Sequence, residues 1–266
     1  MTDRSILITG ASSGIGAGLA RHYARPGSRL WLSGRNAERL EAVAGDCLAA
    51  GARVDCEILD VRNQARTIAW VETADDQSPL DLVIANAGIS GGSGSGVERT
   101  ETMRTILDVN VGGLLSTIEA PLRRMAARGR GQIALMASLA GYRGLPSAPA
   151  YSASKAAVKA LGGGLRPVYA TAGVRINTIC PGFVVSRITD RNDFPMPGLM
   201  PADRAAAIIA RGLERDRGTI AFPWQMVLGA WFLGALPDIL AGPVLARLPR
   251  KDPDIGDSEP PGDPSG

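Results

Sequence analysis

Cysteine and histidine are scarce in this sequence, and their scarcity argues against two kinds of site. The 266 residues include three cysteines (Cys47, Cys56 and Cys180) and one histidine. Because three is an odd number and no pair has the CxxC spacing, we expect neither a disulfide framework nor a zinc site, and we predict no metal ligands. A chain without disulfides is typical of a reducing compartment, so the cytoplasm is the expected location.

A large excess of charge of one sign is also lacking. The chain carries 29 Lys and Arg residues against 26 Asp and Glu residues, a formal net charge of +3. This excess is too small and too dispersed for a nucleic-acid partner, since nucleic-acid binders concentrate basic residues on one face. It does suit an anionic cofactor. Residues 1–10 lack the apolar run of a signal peptide, so secretion is not expected.

Apolar residues make up 45% of the chain and occur in short runs separated by helix-length amphipathic segments. Strands that alternate with helices form a parallel sheet with helices on both faces. Right-handed crossovers then generate a doubly wound, Rossmann-type α/β fold, which we predict as a single sheet. The predicted strands are residues 5–9, 29–33, 53–59, 80–85, 132–137 and 174–179.

The first predicted strand runs into a glycine-rich turn, TGASSGIG at residues 9–16, which is followed by an amphipathic helix. Glycines allow a tight turn and let a phosphate approach the N–H groups at the positive end of the helix. The spacing Gly-x3-Gly-x-Gly differs from the GxGxxG fingerprint, but the strand-turn-helix context is present. The predicted cofactor-binding residues of this turn are Gly10, Ser12, Ser13, Gly14, Ile15 and Gly16.

The second predicted strand ends with Ser33 and continues into Gly34 and Arg35. At this point of dinucleotide-binding folds, an acidic residue binds the ribose 2′-hydroxyl, whereas an arginine accommodates a 2′-phosphate. Arg35 therefore predicts a preference for NADP(H), with NAD(H) as the alternative cofactor. The other interpretation of Arg35 is a solvated surface side chain in an arginine-rich chain.

Tyr151 and Lys155 lie four residues apart in a helix-length segment, so both side chains share one helix face. A nearby ammonium group favours the phenolate, which predicts a lowered pKa for Tyr151 and a role in acid/base chemistry. Ser138 follows the strand at 132–137, and its hydroxyl is predicted to hold a substrate oxygen. Taken alone, a Tyr-x3-Lys pair is also compatible with a purely structural role.

Together these motifs resemble the short-chain dehydrogenase/reductase family over residues 5 to about 220. Four further motifs match in the expected order, namely Asp60-Val61, Asn86-Ala87-Gly88, Asn110 and Pro181-Gly182. The resemblance implies that Tyr151 gives or takes the substrate proton, that Lys155 binds the nicotinamide ribose and that Ser138 orients the substrate oxygen. It also implies that Asn110 supports a water molecule in a proton relay.

The resemblance implies further cofactor contacts and an oligomer. Asp60 and Val61 would contact the adenine, the segment Asn86-Ala87-Gly88 would line the cofactor cleft, and Pro181, Gly182 and Val184 would lie near the nicotinamide. Ser13 stands where many NADP-dependent members have a basic residue, which leaves Arg35 as the main evidence for NADP(H). A homodimer or homotetramer is the expected assembly.

Residues 220–237 contain no charged side chain, and Pro223 and Pro237 bracket only thirteen of them. We predict a catalytic domain at 1–219, an apolar segment at 220–248 that covers the substrate pocket or forms an oligomer interface, and a disordered tail at 249–266. A peripheral membrane contact through 220–248 and a membrane span are the alternatives for this segment.

The predicted function is the NADP(H)-dependent interconversion of a carbonyl and a secondary alcohol, with an apolar small-molecule substrate. The apolar composition of 220–237 is the basis for the substrate prediction. Two alternatives stay open, a catalytically silent nucleotide-binding sensor or scaffold and a membrane-attached reductase of lipid or steroid type. The complete set of Asn110, Ser138, Tyr151 and Lys155 argues against the silent protein, because a sensor needs no acid/base pair.

Overall fold

The computed structural model describes residues 4–91, 98–190 and 194–247, and the predicted disordered tail at 249–266 lies outside these ranges. The strands of the described part are β1 Arg4–Thr9, β2 Ser28–Gly34, β3 Arg53–Ile58, β4 Leu82–Ala85, β5 Gly131–Met136, β6 Val174–Pro181 and β7 Thr219–Phe222. They form one parallel sheet with the order β3-β2-β1-β4-β5-β6-β7. This is the predicted doubly wound α/β fold.

Helices connect the strands. Their bounds are α1 Gly14–Tyr23, α2 Ala37–Ala49, α3 Gln64–Gln77, α4 Thr100–Leu107, α5 Gly113–Arg128, α6 Pro149–Ala170, α7 Ala202–Glu214, α8 Trp224–Ala235 and α9 Asp238–Leu245. One turn of π-helix, Asp108–Gly112, joins α4 to α5, and a short 3₁₀ turn, Leu139–Gly141, follows β5. Within the described ranges, none of the helices combines the length and apolar character that a membrane crossing requires.

Side chains at alternate strand positions pack in two separate hydrophobic cores, one on each face of the sheet, because successive side chains of a strand point to opposite faces. In β1, Ile6 and Ile8 pack on one face with α1, α2 and α7, whereas Leu7 packs on the other with α3, α5 and α6. The same division holds in β4, where Val83 joins the second core. Helices on both faces thus bury most positions of β1, β2, β4, β5 and β6, which explains the continuous apolar runs in the sequence. No position of the edge strand β3 is fully buried.

The chain reverses its direction across the sheet between β1 and β4, and the carboxyl ends of these two strands therefore border an open cleft. Ile8 of β1 lies beside Leu32 of β2 on one side and Ile84 of β4 on the other. Ligands of doubly wound folds bind at this topological switch point. The glycine-rich turn after β1 and the segments after β4, β5 and β6 all meet here.

Strand β7 is absent from the sequence-based prediction. It has only four residues and runs directly into the apolar segment, so no alternating pattern marks it. It pairs with β6, beginning with Thr219 beside Thr178. The predicted domain boundary between residues 219 and 220 therefore falls inside a strand of the sheet. Strand β4 starts at Leu82 rather than residue 80, because the Leu80 N–H group donates to the Asp75 side chain.

Two neighbouring glycines of α6 provide a test of this packing. A Cβ atom on Gly162 would lie 2.0 Å from Oγ1 of the buried Thr178, whereas a Cβ on Gly163 would meet no atom within 4 Å. Gly162→Ala should therefore lower the free energy of unfolding by about 1–3 kcal/mol. Gly163→Ala should raise it by up to about 1 kcal/mol, because alanine favours the helix. Urea unfolding of both variants measures the difference, and equal effects would contradict the packing of α6 on β6.

Candidate active site

A cavity of about 760 Å³ lies at the carboxyl edge of the sheet. All the residues predicted to bind the cofactor or to act in catalysis line it, except Gly16 and Asn110. The lining members of that set are Gly10, Ser12, Ser13, Gly14, Ile15, Arg35, Asp60, Val61, Asn86, Ala87, Gly88, Ser138, Tyr151, Lys155, Pro181, Gly182 and Val184. The fold thus brings residues from the carboxyl ends of six strands and from helix α6 to one site.

The glycine-rich turn is tied to the end of β4 by Asn86. Its Nδ2 group donates to the carbonyl oxygens of Thr9 and Gly10, at 2.9 and 3.0 Å, and its backbone N–H donates to Oγ1 of Thr9. A Cβ on Gly16 would lie 2.2 Å from the Gly10 oxygen. Gly16 is therefore required for the close packing of α1 against the turn, although it does not face the cavity.

Asn110 lies beneath the cavity wall, in the π-helical turn between α4 and α5. Its Oδ1 accepts a hydrogen bond from the Ile89 N–H at 2.8 Å, and its Nδ2 donates to the Ile89 oxygen and to Oγ of Ser154, both at 2.9 Å. Each amide hydrogen is therefore used within the protein. The side chain positions the segment after β4 against α6 rather than pointing into the cavity.

Tyr151, Ser138 and Lys155 face the cavity from α6 and from the end of β5. The Nζ atom of Lys155 donates to the carbonyl oxygen of Met136 at 2.9 Å and lies 5.6 Å from the centre of the Tyr151 ring. The Ser138 hydroxyl caps the 3₁₀ turn by accepting from the Ala140 N–H at 3.1 Å. These contacts hold the three side chains in one corner of the site.

Burial controls the protonation of this corner. It raises the pKa of the Tyr151 phenol above its ordinary value, and a hydrogen bond with Ser138 offsets this only in part. Burial also lowers the pKa of Lys155 to about 8. The prediction of a lowered pKa for Tyr151 is therefore wrong for this structure. Helix spacing places the two side chains on one face, but it does not account for the desolvation that disfavours both charged forms.

The other end of the cavity is basic. Arg35 follows β2, and Arg39 lies in the first turn of α2. The Asn36 side chain caps the start of this helix by accepting a hydrogen bond from the Arg39 N–H. The buried Nε of Arg39 donates to no group in the described part of the chain. Arg39 is not among the residues predicted from the sequence, because Arg35 precedes the N-cap of α2 and helical spacing therefore does not link the two side chains.

The neighbouring carboxylate, Asp60, is neutralised by Arg62. Two nitrogens of the Arg62 guanidinium donate to Oδ2 of Asp60, at 2.6 and 2.9 Å. Burial raises the pKa of Asp60, but the hydrogen bonds and charge of Arg62 outweigh it, and the net pKa falls below the ordinary value. Asp60 therefore stays ionised and paired, and its charge does little to repel an anion.

The lining fits an anionic dinucleotide. Asp60 is its one acidic residue among the described residues, against five basic ones, Arg35, Arg39, Arg143, Lys155 and Arg187. A Cβ on Gly88 would project to within 3.3 Å of the Lys155 Nζ, so a side chain there would fill the space beside the ammonium group. In the described ranges, no three His, Cys, Asp or Glu side chains are grouped to hold a metal ion.

Beyond Tyr151 the wall is mostly apolar. Helix α8 contributes Met226, Ala230 and Leu233, which share one of its faces, and the segment after β6 contributes further apolar side chains. The remaining large apolar lining residues of this half are Leu139, Tyr142, Leu145, Phe183, Ile188 and Phe194. These residues come from segments that are far apart in the sequence, and the fold brings them together.

Glu98 supports the start of helix α6 from outside the cavity. Helix α6 begins at Pro149, which has no N–H group, and the residue before it, Ala148, provides no side-chain cap. Oε2 of Glu98, which is only 2% exposed, accepts instead from the N–H of Ala150 at 3.0 Å. A carboxylate is stabilised at the positive end of a helix. Glu98 therefore holds the turn that carries Tyr151.

Comparison with known proteins agrees with this arrangement. Residues 4–194, more than half of the chain, match the family described as short chain dehydrogenase. The chain belongs to the short-chain dehydrogenase family. An uncharacterized oxidoreductase from Myxococcus xanthus (strain DK1622) is 39% identical over 249 residues, which cover 93% of this chain and 98% of that protein.

Two solved structures resemble this short-chain dehydrogenase closely. A short-chain dehydrogenase/reductase from Burkholderia phymatum in complex with NAD has a TM-score of 0.80 and 25% identity, covering 91% of this chain and 95% of that one. A short-chain dehydrogenase from Sphingobium yanoikuyae in complex with NADPH has a TM-score of 0.77 and 26% identity, covering 92% and 96%. As a family member, the chain is an oxidoreductase that uses a nicotinamide cofactor and acts on CH–OH groups.

The contact from Glu98 to α6 can be tested by hydrogen exchange. In Glu98→Ala the N–H of Ala150 loses its acceptor in a buried setting, which should cost about 1–3 kcal/mol and speed exchange in the first turn of α6. Glu98→Gln keeps a neutral acceptor of the same shape and should restore most of the protection. Equal exchange in the two variants would show that the charge, not the acceptor, holds the turn.

Proposed function

We propose that this short-chain dehydrogenase interconverts an apolar ketone and the corresponding secondary alcohol, with NADP(H) as the preferred cofactor. The observation that carries the proposal is the position of Tyr151 and Ser138 between a basic half and an apolar half of one cavity. A dinucleotide and a lipophilic carbonyl compound fit these two halves. The donors of the catalytic corner lie where the two ligands would meet.

In this proposal the nicotinamide, when bound, supplies or accepts the hydride. Ser138 and Tyr151 hold the substrate oxygen through their hydroxyl groups, and the Tyr151 phenol donates its proton to that oxygen in the reductive direction. The ordinary pKa of tyrosine already lies well above neutral pH, and burial raises the pKa of Tyr151 further, so the phenol is protonated at neutral pH, the state that a proton donor requires.

Lys155 and Asn110 support this step. Lys155 presents its ammonium group beside the Tyr151 ring and offers hydrogen bonds to a sugar hydroxyl, while the Met136 oxygen fixes its position. Asn110 acts as a positioning residue through Ile89 and Ser154, since its side-chain amide is fully used. A relay water would therefore bind to other atoms of this region than the Asn110 side chain.

The proposed preference for NADP(H) rests on Arg35 and Arg39. A guanidinium group forms bidentate, charge-assisted hydrogen bonds with phosphate, and the buried Nε of Arg39 needs an acceptor. Glu38 is the one acidic residue between Ser33 and Arg39, and it does not line the cavity. No carboxylate of this segment is therefore placed to bind a free 2′-hydroxyl. The proposed substrate class rests on the apolar half of the cavity, because apolar side chains line the binding sites of apolar ligands.

Replacement of the proton donor tests the reaction. Tyr151→Phe should lower kcat for a panel of cyclic and long-chain ketones by at least about 10²-fold, because it removes the acid/base group. The affinity for NADPH, measured by nicotinamide fluorescence, should change little. Tyr169→Phe, on the same helix but outside the cavity, is the matched control. Full activity in Tyr151→Phe would refute the mechanism, and faster turnover of small sugars would refute the substrate class.

Exchange of the two arginines tests the cofactor. The double variant Arg35→Asp/Arg39→Ala should weaken NADPH binding roughly tenfold or more, since it removes charge-assisted hydrogen bonds to phosphate. NADH binding should be unchanged or tighter, because the new carboxylate can accept from a ribose hydroxyl. Arg204→Asp, an exposed change on α7, serves as the control. A parallel loss for both cofactors would contradict the proposed phosphate site.

A further inference from the structure

One basic side chain, that of Arg143, lies in the apolar half of the cavity. It follows the 3₁₀ turn after β5, and its neighbours in the lining include Tyr142 and Leu145. The Arg143 side chain is only 19% exposed. Removing a charged group from water costs free energy unless the charge is paired with an opposite one. A cation in this position therefore calls for an anionic partner.

The other basic residues of the lining lie at the cofactor end of the cavity or beside Tyr151. They are Arg35, Arg39, Lys155 and Arg187. Arg187 belongs to the cofactor end because it follows Ser186, whose Cβ lies 2.8 Å from the place that a Cβ on Gly14 of the glycine-rich turn would occupy. Within the described ranges, Arg143 is thus the basic lining residue that neither the cofactor nor Tyr151 accounts for.

The contacts of Arg143 leave donors for a ligand. One terminal nitrogen donates to the oxygen of Leu236 at 2.9 Å, and the other donates to Oδ1 of Asp238. A guanidinium group has more N–H groups than these two contacts use, and the rest meet no acceptor in the described part of the chain. The Asp238 side chain is 98% exposed, so water screens its ion pair with Arg143. A carboxylate inside the cavity would be screened less and would pair more strongly.

The Ser138 hydroxyl lies near the start of helix α8. It donates to the oxygen of Pro181 at 3.4 Å. A Cβ on the next residue, Gly182, would lie 2.8 Å from the sulfur of Met226, which is in the first turn of α8. A substrate oxygen held by Ser138 would therefore lie at this end of the helix.

Arg143 lies at the opposite end of the same helix. Its guanidinium is bonded to Leu236, the residue that follows the last helical position of α8. Since an α-helix rises about 1.5 Å per residue, Met226 and Leu236 are about 15 Å apart along the axis. Between these two ends, α8 presents Ala230 and Leu233 to the cavity. Ser138 and Arg143 are thus separated by an apolar wall.

We infer that Arg143 binds a carboxylate of the substrate at the end remote from the reacting carbonyl. The substrate is then an apolar oxo acid, which is reduced to the corresponding hydroxy acid. Its ketone oxygen lies at Ser138 and Tyr151, its hydrocarbon part lies along α8, and its carboxylate meets the planar guanidinium, which binds carboxylates with matching geometry. The inference rests on the proposed function and makes its substrate class more specific.

Turnover of an acid and of its ester tests the inference. The wild-type enzyme should use 9-oxodecanoic acid with a kcat/KM about tenfold or more above that of the methyl ester, mainly through a lower KM, because the ester carries no charge. Arg143→Gln should lower kcat/KM for the acid by about tenfold or more and should change that for the ester little. The isomer 2-oxodecanoic acid, whose carboxylate adjoins the ketone, should not respond to the variant.

Two further variants serve as controls. Asp238→Asn removes the ion pair but keeps the Arg143 guanidinium, so the preference for the acid should persist. Arg21→Gln removes a positive charge from α1, away from the cavity, and should change neither substrate. Equal use of acid and ester by the wild type would overturn the inference. An equal loss for both substrates in Arg143→Gln would do the same, because Arg143 would then only hold α8 in place.

Binding of decanoate, which has no ketone, separates this inference from the proposed reaction. Isothermal titration calorimetry should show that the full-length protein binds decanoate and that Arg143→Gln weakens this binding about tenfold or more, whereas neutral decanamide should bind to both proteins equally. Decanoate binding that depends on Arg143 in a protein that reduces no ketone would support the carboxylate site and refute the proposed reaction. Decanoate binding that Arg143→Gln leaves unchanged would overturn the site, even if the protein reduces ketones.

Discussion

The site depends on the close approach of the backbones after β1 and β4. Asn86 holds this approach by donating to the oxygens of Thr9 and Gly10, and the absence of a side chain at Gly10 and Gly16 permits it. The positive end of α1 is thereby directed into the cleft between the strands. The segments after β5 and β6 extend the cavity from this junction, because these strands follow β4 in the same parallel sheet and end at the same edge.

A second constraint is the desolvation of the cavity corner that holds Tyr151, Ser138 and Lys155. Tyr151 and Lys155 both pay an electrostatic cost for burial, which raises the pKa of the phenol and lowers that of the ammonium group. Neutral contacts fix their positions, notably the Met136 oxygen for Lys155. Contacts within the protein thus fix the positions of these side chains.

The carboxy-terminal helices connect the cavity to the exterior. Helix α8 closes the apolar half with one face and exposes tryptophan and leucine on the other. Its place is set by β7, which adds the segment to the sheet through β6. The segment after residue 219, which the sequence-based division set apart as a separate unit, thus contributes to the sheet through β7 and to the cavity wall through α8.

Six of the seven strands, the glycine-rich turn and part of the cavity lining could be predicted from the sequence, because strand periodicity and glycine spacing are local properties. A set of motifs in the expected order predicts Tyr151, Ser138 and Lys155 as site residues, and all three line the cavity. The sequence did not reveal strand β7, the contacts of Arg39 and Glu98, or the direction of the Tyr151 pKa shift. Those features depend on burial and on partners distant in the chain, such as Glu98 with Ala150. Only the tertiary structure decides them, since desolvation and long-range hydrogen bonds leave no periodic trace in a sequence.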